Sequence, residues 1–133
     1  MSESDNHIFL VSSMLNWVKD QAIVDSGCIL VSLPSSSSYN KCPRLPSGYE
    51  PDLYVDDIKS KIRIIGEAKT EQDLETVHSK KQYTSYYYWA SKNIGKSIII
   101  LSVPLIYRAR MKNLLYNMFG NKSSNVKIIV LGF

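Results

Sequence analysis

Apolar residues along the chain recur with two different periods, and the changes between them mark the predicted elements. From Ile8 to Ala22 they recur every three or four positions behind polar cap candidates at 4–6, which predicts an amphipathic helix that ends within residues 25–27. Shorter runs rich in β-branched residues predict strands, and two later segments have helical spacing. The later predicted elements are strands at 28–33, 53–57 and 62–69, a helix at 73–93, a strand at 97–103, a helix from Pro104 to Gly120 and a strand at 126–131.

This order, α-β-β-β-α-β-α-β, predicts an α/β protein of the α+β kind, in which helices flank a mixed sheet. A chain of 133 residues with 44% hydrophobic content can bury one core, so a single domain is expected over residues 1–133. The first two predicted strands are separated by a long loop that contains four serines at 35–38 and several prolines. Such a loop is either functional or a plain connector.

The apolar stretch at 8–15 follows the acids Glu3 and Asp5 and runs into polar residues. It therefore has the features of neither a signal peptide nor a membrane span, and a cytoplasmic protein without a membrane partner is expected. The two cysteines, Cys28 and Cys42, lack a second pair at zinc-binding spacing and are expected to be free thiols.

Charge is distributed unevenly along the chain. Residues 1–75 contain all twelve acids and seven bases, whereas residues 76–133 contain nine bases and no acid. An acid-free half of this length favours a polyanionic partner such as DNA, and acids gathered elsewhere favour a cation site. Chance and general solubility are the alternative explanations.

The hairpin formed by 53–57 and 62–69 brings polar residues of distant sequence together. With a turn centred on Lys59 and Ser60, the register places Asp52 opposite Glu67. Because side chains alternate along a strand, Lys69 lies on the same face as Glu67. The face opposite them carries small residues, which allow a helix to approach closely.

Two carboxylates opposed across a hairpin have Cβ atoms roughly 5 Å apart, so both can bind one hard cation. Magnesium prefers oxygen ligands and accepts substrate phosphate oxygens, and Mn²⁺ can substitute for it. The Lys69 ammonium would reach the same place and stabilise charge on a phosphoryl transition state. The residues Asp52, Glu67 and Lys69 therefore predict hydrolysis of phosphodiester bonds through a metal-activated water.

The sequence Pro51-Asp52, fourteen intervening residues and Glu67-Ala68-Lys69 resembles the PD-(D/E)XK signature of the restriction-endonuclease-like nucleases. The resemblance implies an αβββαβ core, here with an added C-terminal helix and strand. It also implies that Asp52 and Glu67 bind the metal, that the backbone carbonyl of Ala68 joins them, and that Lys69 serves catalysis.

Thr70 after the lysine and the Gln82-x-x-x-Tyr86 spacing further resemble RecB-like and related repair nuclease domains. VRR-NUC-like and Holliday-junction-resolvase-like members are equally open, and the resemblance implies a role in DNA repair or recombination. In such domains the glutamine lies beside the active site, which makes Gln82 a candidate catalytic residue. An acid from the first helix completes the site in many members, and the candidates here are Glu3, Asp5, Asp20 and Asp25.

Several residues of the basic half suit contacts with nucleic acid, through phosphate pairing or base stacking. The candidates are Lys80, Lys81, Tyr86, Arg108, Arg110 and Lys112. Packing of the tyrosine on the sheet and ordinary solvation of the basic side chains are the alternatives. One site per chain would favour a homodimer for cleavage of both strands of a duplex.

The sequence thus predicts a magnesium-dependent DNA endonuclease. Two alternatives from other classes remain open. One is a catalytically inactive nuclease-fold module that binds DNA or a protein partner, and the other is a structural or assembly module with fortuitous motifs.

Overall fold

The computed structural model describes residues 3–33, 41–120, 122 and 125–133, with the backbone alone for Glu3 and Ser4. The serine cluster at 35–38, for which a functional loop and a plain connector are the two predicted alternatives, lies outside the described residues. Within the described part the predicted order α-β-β-β-α-β-α-β is confirmed. The elements are α1 (Glu3–Gln21), β1 (Leu30–Val31), β2 (Leu53–Asp57), β3 (Ile62–Ala68), α2 (Val77–Ser91), β4 (Ser97–Val103), α3 (Arg108–Phe119) and β5 (Val126–Gly132).

Several predicted boundaries differ from the structure because local hydrogen bonds begin or end an element elsewhere. The first helix includes residues 4–6, so the prediction that they cap it is wrong, and it ends at Gln21 rather than within residues 25–27. A 3₁₀ turn at Ser26–Cys28 shortens the first strand to two residues. The helix predicted from 73 begins at Val77, since the Thr76 side chain accepts a hydrogen bond from the Ser79 N–H at 3.1 Å and caps it. A second 3₁₀ turn, Leu105–Tyr107, precedes α3, while its predicted stop at Gly120 is confirmed.

The five strands form one mixed sheet in the order β1-β2-β3-β4-β5. The first three strands pair antiparallel, and β3, β4 and β5 run parallel. The mixed sheet predicted from the element order is thereby confirmed. Because β3, β4 and β5 run parallel, their carboxyl ends lie along one edge of the sheet.

Helices cover both faces of the sheet and create two apolar clusters. On one face, α1 packs through Val11 and Met14 against β2, β3 and β4. On the other face, α2 and α3 pack through residues such as Tyr83 and Leu115. The predicted close approach of a helix is confirmed at Gly66, where an added Cβ would lie 2.6 Å from the Met14 sulfur.

Both cysteines are free, as predicted, although they differ in environment. Cys28 is exposed, whereas Cys42 is buried and its thiol donates a hydrogen bond to the Leu30 carbonyl at 3.4 Å. Burial raises the pKa of the Cys42 thiol to about 11, which keeps it protonated and unreactive at neutral pH. Among the described residues, no helix is long and apolar enough to cross a membrane.

Candidate active site

The β2–β3 hairpin has the register predicted from its sequence. Leu53 pairs with Gly66, and Asp56 pairs with Arg63. The predicted opposite-charge cross-strand pair is present, with 3.5 Å between Arg63 Nε and Asp56 Oδ1. This register directs the Glu67 side chain to the face that α2 covers.

Asp52 departs from the ladder by one position. Its N–H donates to the Gly66 carbonyl at 3.0 Å, although Gly66 is already the partner of Leu53. Asp52 and Leu53 of one strand are therefore both opposite Gly66 of the other, as in a β-bulge. The prediction that Asp52 and Glu67 are directly opposed in the backbone pairing is wrong. The carboxylate nevertheless turns back over β3, where Asp52 Oδ2 accepts a 2.8 Å hydrogen bond from the Ala68 N–H.

Glu67 is a buried carboxyl group, with 6% of the residue exposed. Burial raises its pKa well above the ordinary value, and the charge and hydrogen bond of Asp52 raise it further. The nearby Lys69 ammonium and a 2.7 Å hydrogen bond from the Tyr86 hydroxyl act in the opposite direction. The two predicted carboxyl groups therefore share one site, where a proton or a cation relieves their repulsion.

Lys69 and Gln82 meet on the same side of the sheet. Both are buried, and the Lys69 ammonium donates a hydrogen bond to Gln82 Oε1. Gln82 and Tyr86 are one helical turn apart on α2, so one reaches the lysine and the other reaches Glu67. The Gln82-x-x-x-Tyr86 spacing thus provides one hydrogen-bond partner for Lys69 and one for Glu67.

His7 of α1 is a site residue that the sequence reasoning missed. Its Nε2 lies 3.2 Å from Asp52 Oδ1, and its side chain is 37% exposed. The hydrogen bond to Asp52 raises the pKa of His7 despite an opposing contribution from partial burial. His7 precedes Val11 and Met14 at helical spacing, so a histidine that extends an otherwise apolar stripe was the available signal.

The four acids considered for the first helix do not supply a described carboxylate at this position. Asp5 is exposed, and Asp20 and Asp25 are exposed near the far end of α1. With a rise of about 1.5 Å per residue, the thirteen residues from His7 to Asp20 span roughly 20 Å. The Glu3 side chain lies outside the described part.

The donor set suits a hard cation. In β3 the Ala68 N–H points towards Asp52, and because the N–H and C=O of one strand residue point the same way, its carbonyl does too. Two carboxyl groups and this carbonyl are oxygen donors, as Mg²⁺ prefers. In the described part of the chain, no group of three or more His, Cys, Asp or Glu residues could hold a metal ion, so substrate and water oxygens would complete the shell.

The five basic residues predicted to contact nucleic acid are all exposed, but the two arginines have partners within the protein. Lys80, Lys81 and Lys112 are exposed. Arg108 donates through Nε to the Val130 carbonyl at 3.1 Å, and Arg110 Nε lies 2.6 Å from Glu75 Oε1. The three lysines are therefore better placed for phosphate than the two arginines.

Tyr86 requires a correction as a nucleic-acid contact. The residue is 0% exposed and belongs to the core cluster beneath α2, so its ring offers no face to a base. Burial raises the pKa of its hydroxyl, which remains a hydrogen-bond donor to Glu67. Tyr86 thus orients the site from within the core.

Comparisons of the chain with protein-family models, with curated proteins and with solved structures found no match.

Proposed function

We propose that the chain is a magnesium-dependent DNA endonuclease of the PD-(D/E)XK type. The observation that carries this proposal is the cluster of Asp52, Glu67 and Lys69, in which three ionisable side chains converge within the fold although each is 9% exposed or less. Buried charges are costly unless they are paired or bind a cation. The element order, which accommodates an αβββαβ core with a helix and a strand added, supports the same reading.

Asp52 and Glu67, together with the Ala68 carbonyl, would hold Mg²⁺ or a substituting Mn²⁺. The ion would supply Lewis acidity that polarises the scissile phosphate and an attacking water. Each carboxylate oxygen has two lone pairs, so the bonds from Ala68, His7 and Tyr86 leave acceptor capacity for a cation.

Lys69 places a positive charge where negative charge develops on the phosphoryl oxygens. Gln82 holds its ammonium in position, so little reorganisation is required during the reaction. Tyr86 and His7 act as positioning residues, since each donates to or contacts one carboxylate of the pair.

The substrate class follows from charge. Residues 76–133 contain nine bases and no acid, and three exposed lysines of α2 and α3 suit phosphate contacts. We propose DNA as the substrate, in repair or recombination, with a homodimer where both strands of a duplex are cut.

Incubation of the full chain with plasmid, linear, single-stranded and branched DNA tests the activity. Cleavage is expected with Mg²⁺ or Mn²⁺ and should stop with a chelator. Lys69→Ala should lose cleavage, while Lys59→Ala, a change at the exposed hairpin turn, should retain it. Cleavage that persists in the chelator or in Lys69→Ala would contradict the proposed site.

A second candidate function is DNA binding without cleavage. It is favoured by the observation that both oxygens of Asp52 already have partners within the protein. Under this alternative the chain binds DNA in every metal condition and cuts none of the substrates.

A further inference from the structure

A groove adjoins the candidate site along the edge where the parallel strands end. Its volume is about 480 Å³, and Thr70, Pro104 and Phe133, which follow β3, β4 and β5, line it. Ligands of open sheets with parallel strands commonly bind outside the carboxyl ends of those strands. The groove therefore lies in the part of the fold where a ligand is most expected.

The groove exposes apolar side chains that the two core clusters do not cover. Phe9 is 52% exposed, Ile106 is 81% exposed and Phe133 is 39% exposed, and all three line the same groove. Scattered exposed apolar residues are normal, but three around one concave surface are typical of a binding site. Two of them are aromatic rings suited to stacking.

The polar part of the lining selects against phosphate. Glu71 is the one charged residue among the described lining residues, and its carboxylate accepts a hydrogen bond from the Tyr107 hydroxyl. Among the described lining residues there is no lysine or arginine. A carboxylate repels a phosphate, but it accepts hydrogen bonds from the exocyclic amine of a nucleobase.

The groove and the candidate site adjoin each other, because residues that line the groove are the sequence neighbours of residues in the site. Asn6 lines the groove and His7 contacts Asp52, while Thr70 lines the groove and Lys69 belongs to the catalytic cluster. A nucleotide whose phosphate lies at the carboxylates would therefore have its base within reach of the groove.

We propose that the groove binds one unpaired nucleobase of the substrate strand, preferably an amino-bearing base such as cytosine or adenine. The proposal rests on the proposed nuclease function and narrows its substrate to DNA with single-stranded character, such as overhangs, flaps or branched ends. Unpaired bases are required because the faces of a paired base are covered by its neighbours in the stack.

Single-stranded oligonucleotides that contain one 2-aminopurine at successive positions test this site directly. Stacking in the groove should quench the fluorescence at one position, measured with the full chain in chelator so that no cleavage interferes. The variant Phe9→Ala/Ile106→Ala should abolish the quenching and weaken single-strand affinity about fivefold to a hundredfold, the range expected for loss of one stacked base. Blunt-duplex affinity should stay within about twofold, as the duplex offers no unpaired base.

Two further variants keep the test specific. Ile94→Ala removes an equally exposed side chain before β4, at the opposite end of the sheet, and should behave as wild type. Glu71→Gln should reduce the preference for cytosine or adenine over thymine at the quenched position, because the amide replaces an ionic acceptor with a mixed donor and acceptor.

The outcomes separate the two proposals. Metal-dependent cleavage with no position-specific quenching, or with equal losses for single-stranded and blunt DNA, would overturn the base site and leave the nuclease intact. Quenching that depends on Phe9 and Ile106 without cleavage of any substrate would support the base site and overturn the nuclease. A dimer that becomes monomeric in Phe9→Ala/Ile106→Ala, with quenching unchanged, would show that a second copy occupies the groove and would overturn the base site.

Discussion

Tyr86→Phe is the sharpest probe of the site because it removes one oxygen atom and leaves the packing of a fully buried ring intact. The hydroxyl donates a 2.7 Å hydrogen bond to a carboxylate with little access to water. A hydrogen bond to a charged group contributes about 1.5–3 kcal/mol, so the free energy of unfolding should fall by about 2 kcal/mol at a pH where Glu67 is ionised. For a chain of this size, the melting temperature should fall by roughly 6–10 °C.

The loss should depend on pH in a predictable direction. Because the folded-state pKa of Glu67 is raised above its unfolded value, the unfolded chain binds fewer protons between the two values, and stability falls as pH rises through this window. The Tyr86 hydrogen bond lowers the pKa of Glu67, so its removal extends the fall to higher pH. The difference between Tyr86→Phe and wild type should therefore be small where Glu67 is protonated and grow as the pH rises through its folded-state pKa.

Tyr83→Phe is the matched control in the preceding turn of α2. Tyr83 is 2% exposed, and its hydroxyl donates to the Leu74 carbonyl at 2.8 Å, an uncharged acceptor. Its removal should lower the free energy of unfolding by about 1 kcal/mol at every pH in this range. Urea denaturation of both variants in chelator, from pH 4 to pH 8, provides the comparison. Equal, pH-independent losses in the two variants would refute the argument that Tyr86 stabilises an ionisable Glu67.

Three further predictions concern the reaction and its substrate. Lys69→Ala should slow single-turnover cleavage about 100-fold or more while Mg²⁺ still raises the melting temperature, since both carboxylates remain; an unchanged rate would remove Lys69 from the mechanism. Asp52→Asn should lose the Mg²⁺-dependent stabilisation, which in wild type reaches about 2.7 kcal/mol at a hundred times Kd, and an undiminished shift in a thermal melt would place the ion elsewhere. Lys80→Ala/Lys81→Ala should lower the salt dependence of DNA affinity by up to about two units of slope, against no change for Lys59→Ala; equal slopes in a binding titration would move the phosphate contacts off α2.

Much of the fold could be predicted because its signals are local. The hairpin register follows from a short turn and from alternation along 53–57 and 62–69, and it holds at every pair from Leu53 to Asp57. The strand at 97–103 and the stop at Gly120 depend on a continuous apolar run and on a glycine, and both are confirmed. These elements needed no knowledge of distant contacts.

The bulge at Asp52 could not be predicted, because it depends on three strands together. The Asp52 N–H bonds to Gly66 of β3, while its carbonyl accepts a 2.9 Å hydrogen bond from the Ser32 N–H, just beyond β1. The sequence predicts a strand over the whole run 28–33, whereas in the structure a 3₁₀ turn covers its start and β1 is only Leu30–Val31. The contact between His7 and Asp52 could not be predicted either, because the two residues are 45 positions apart in the sequence.

The role of the α2 face that carries Gln82 and Tyr86 could not be predicted from the sequence. Spacing alone placed Gln82 and Tyr86 on one face, but both a core face and a DNA-binding face have that spacing. The structure shows a core face, because α2 packs over β3, where Glu67 and Lys69 are buried on the side facing the helix. Each charged group needs a hydrogen-bond partner once water is excluded, and the glutamine carbonyl and the tyrosine hydroxyl supply the acceptor and the donor required. A purely apolar stripe would pack equally well on this sheet, but it would leave Glu67 and Lys69 unsatisfied, so these two residues on α2 are set by the site that they face.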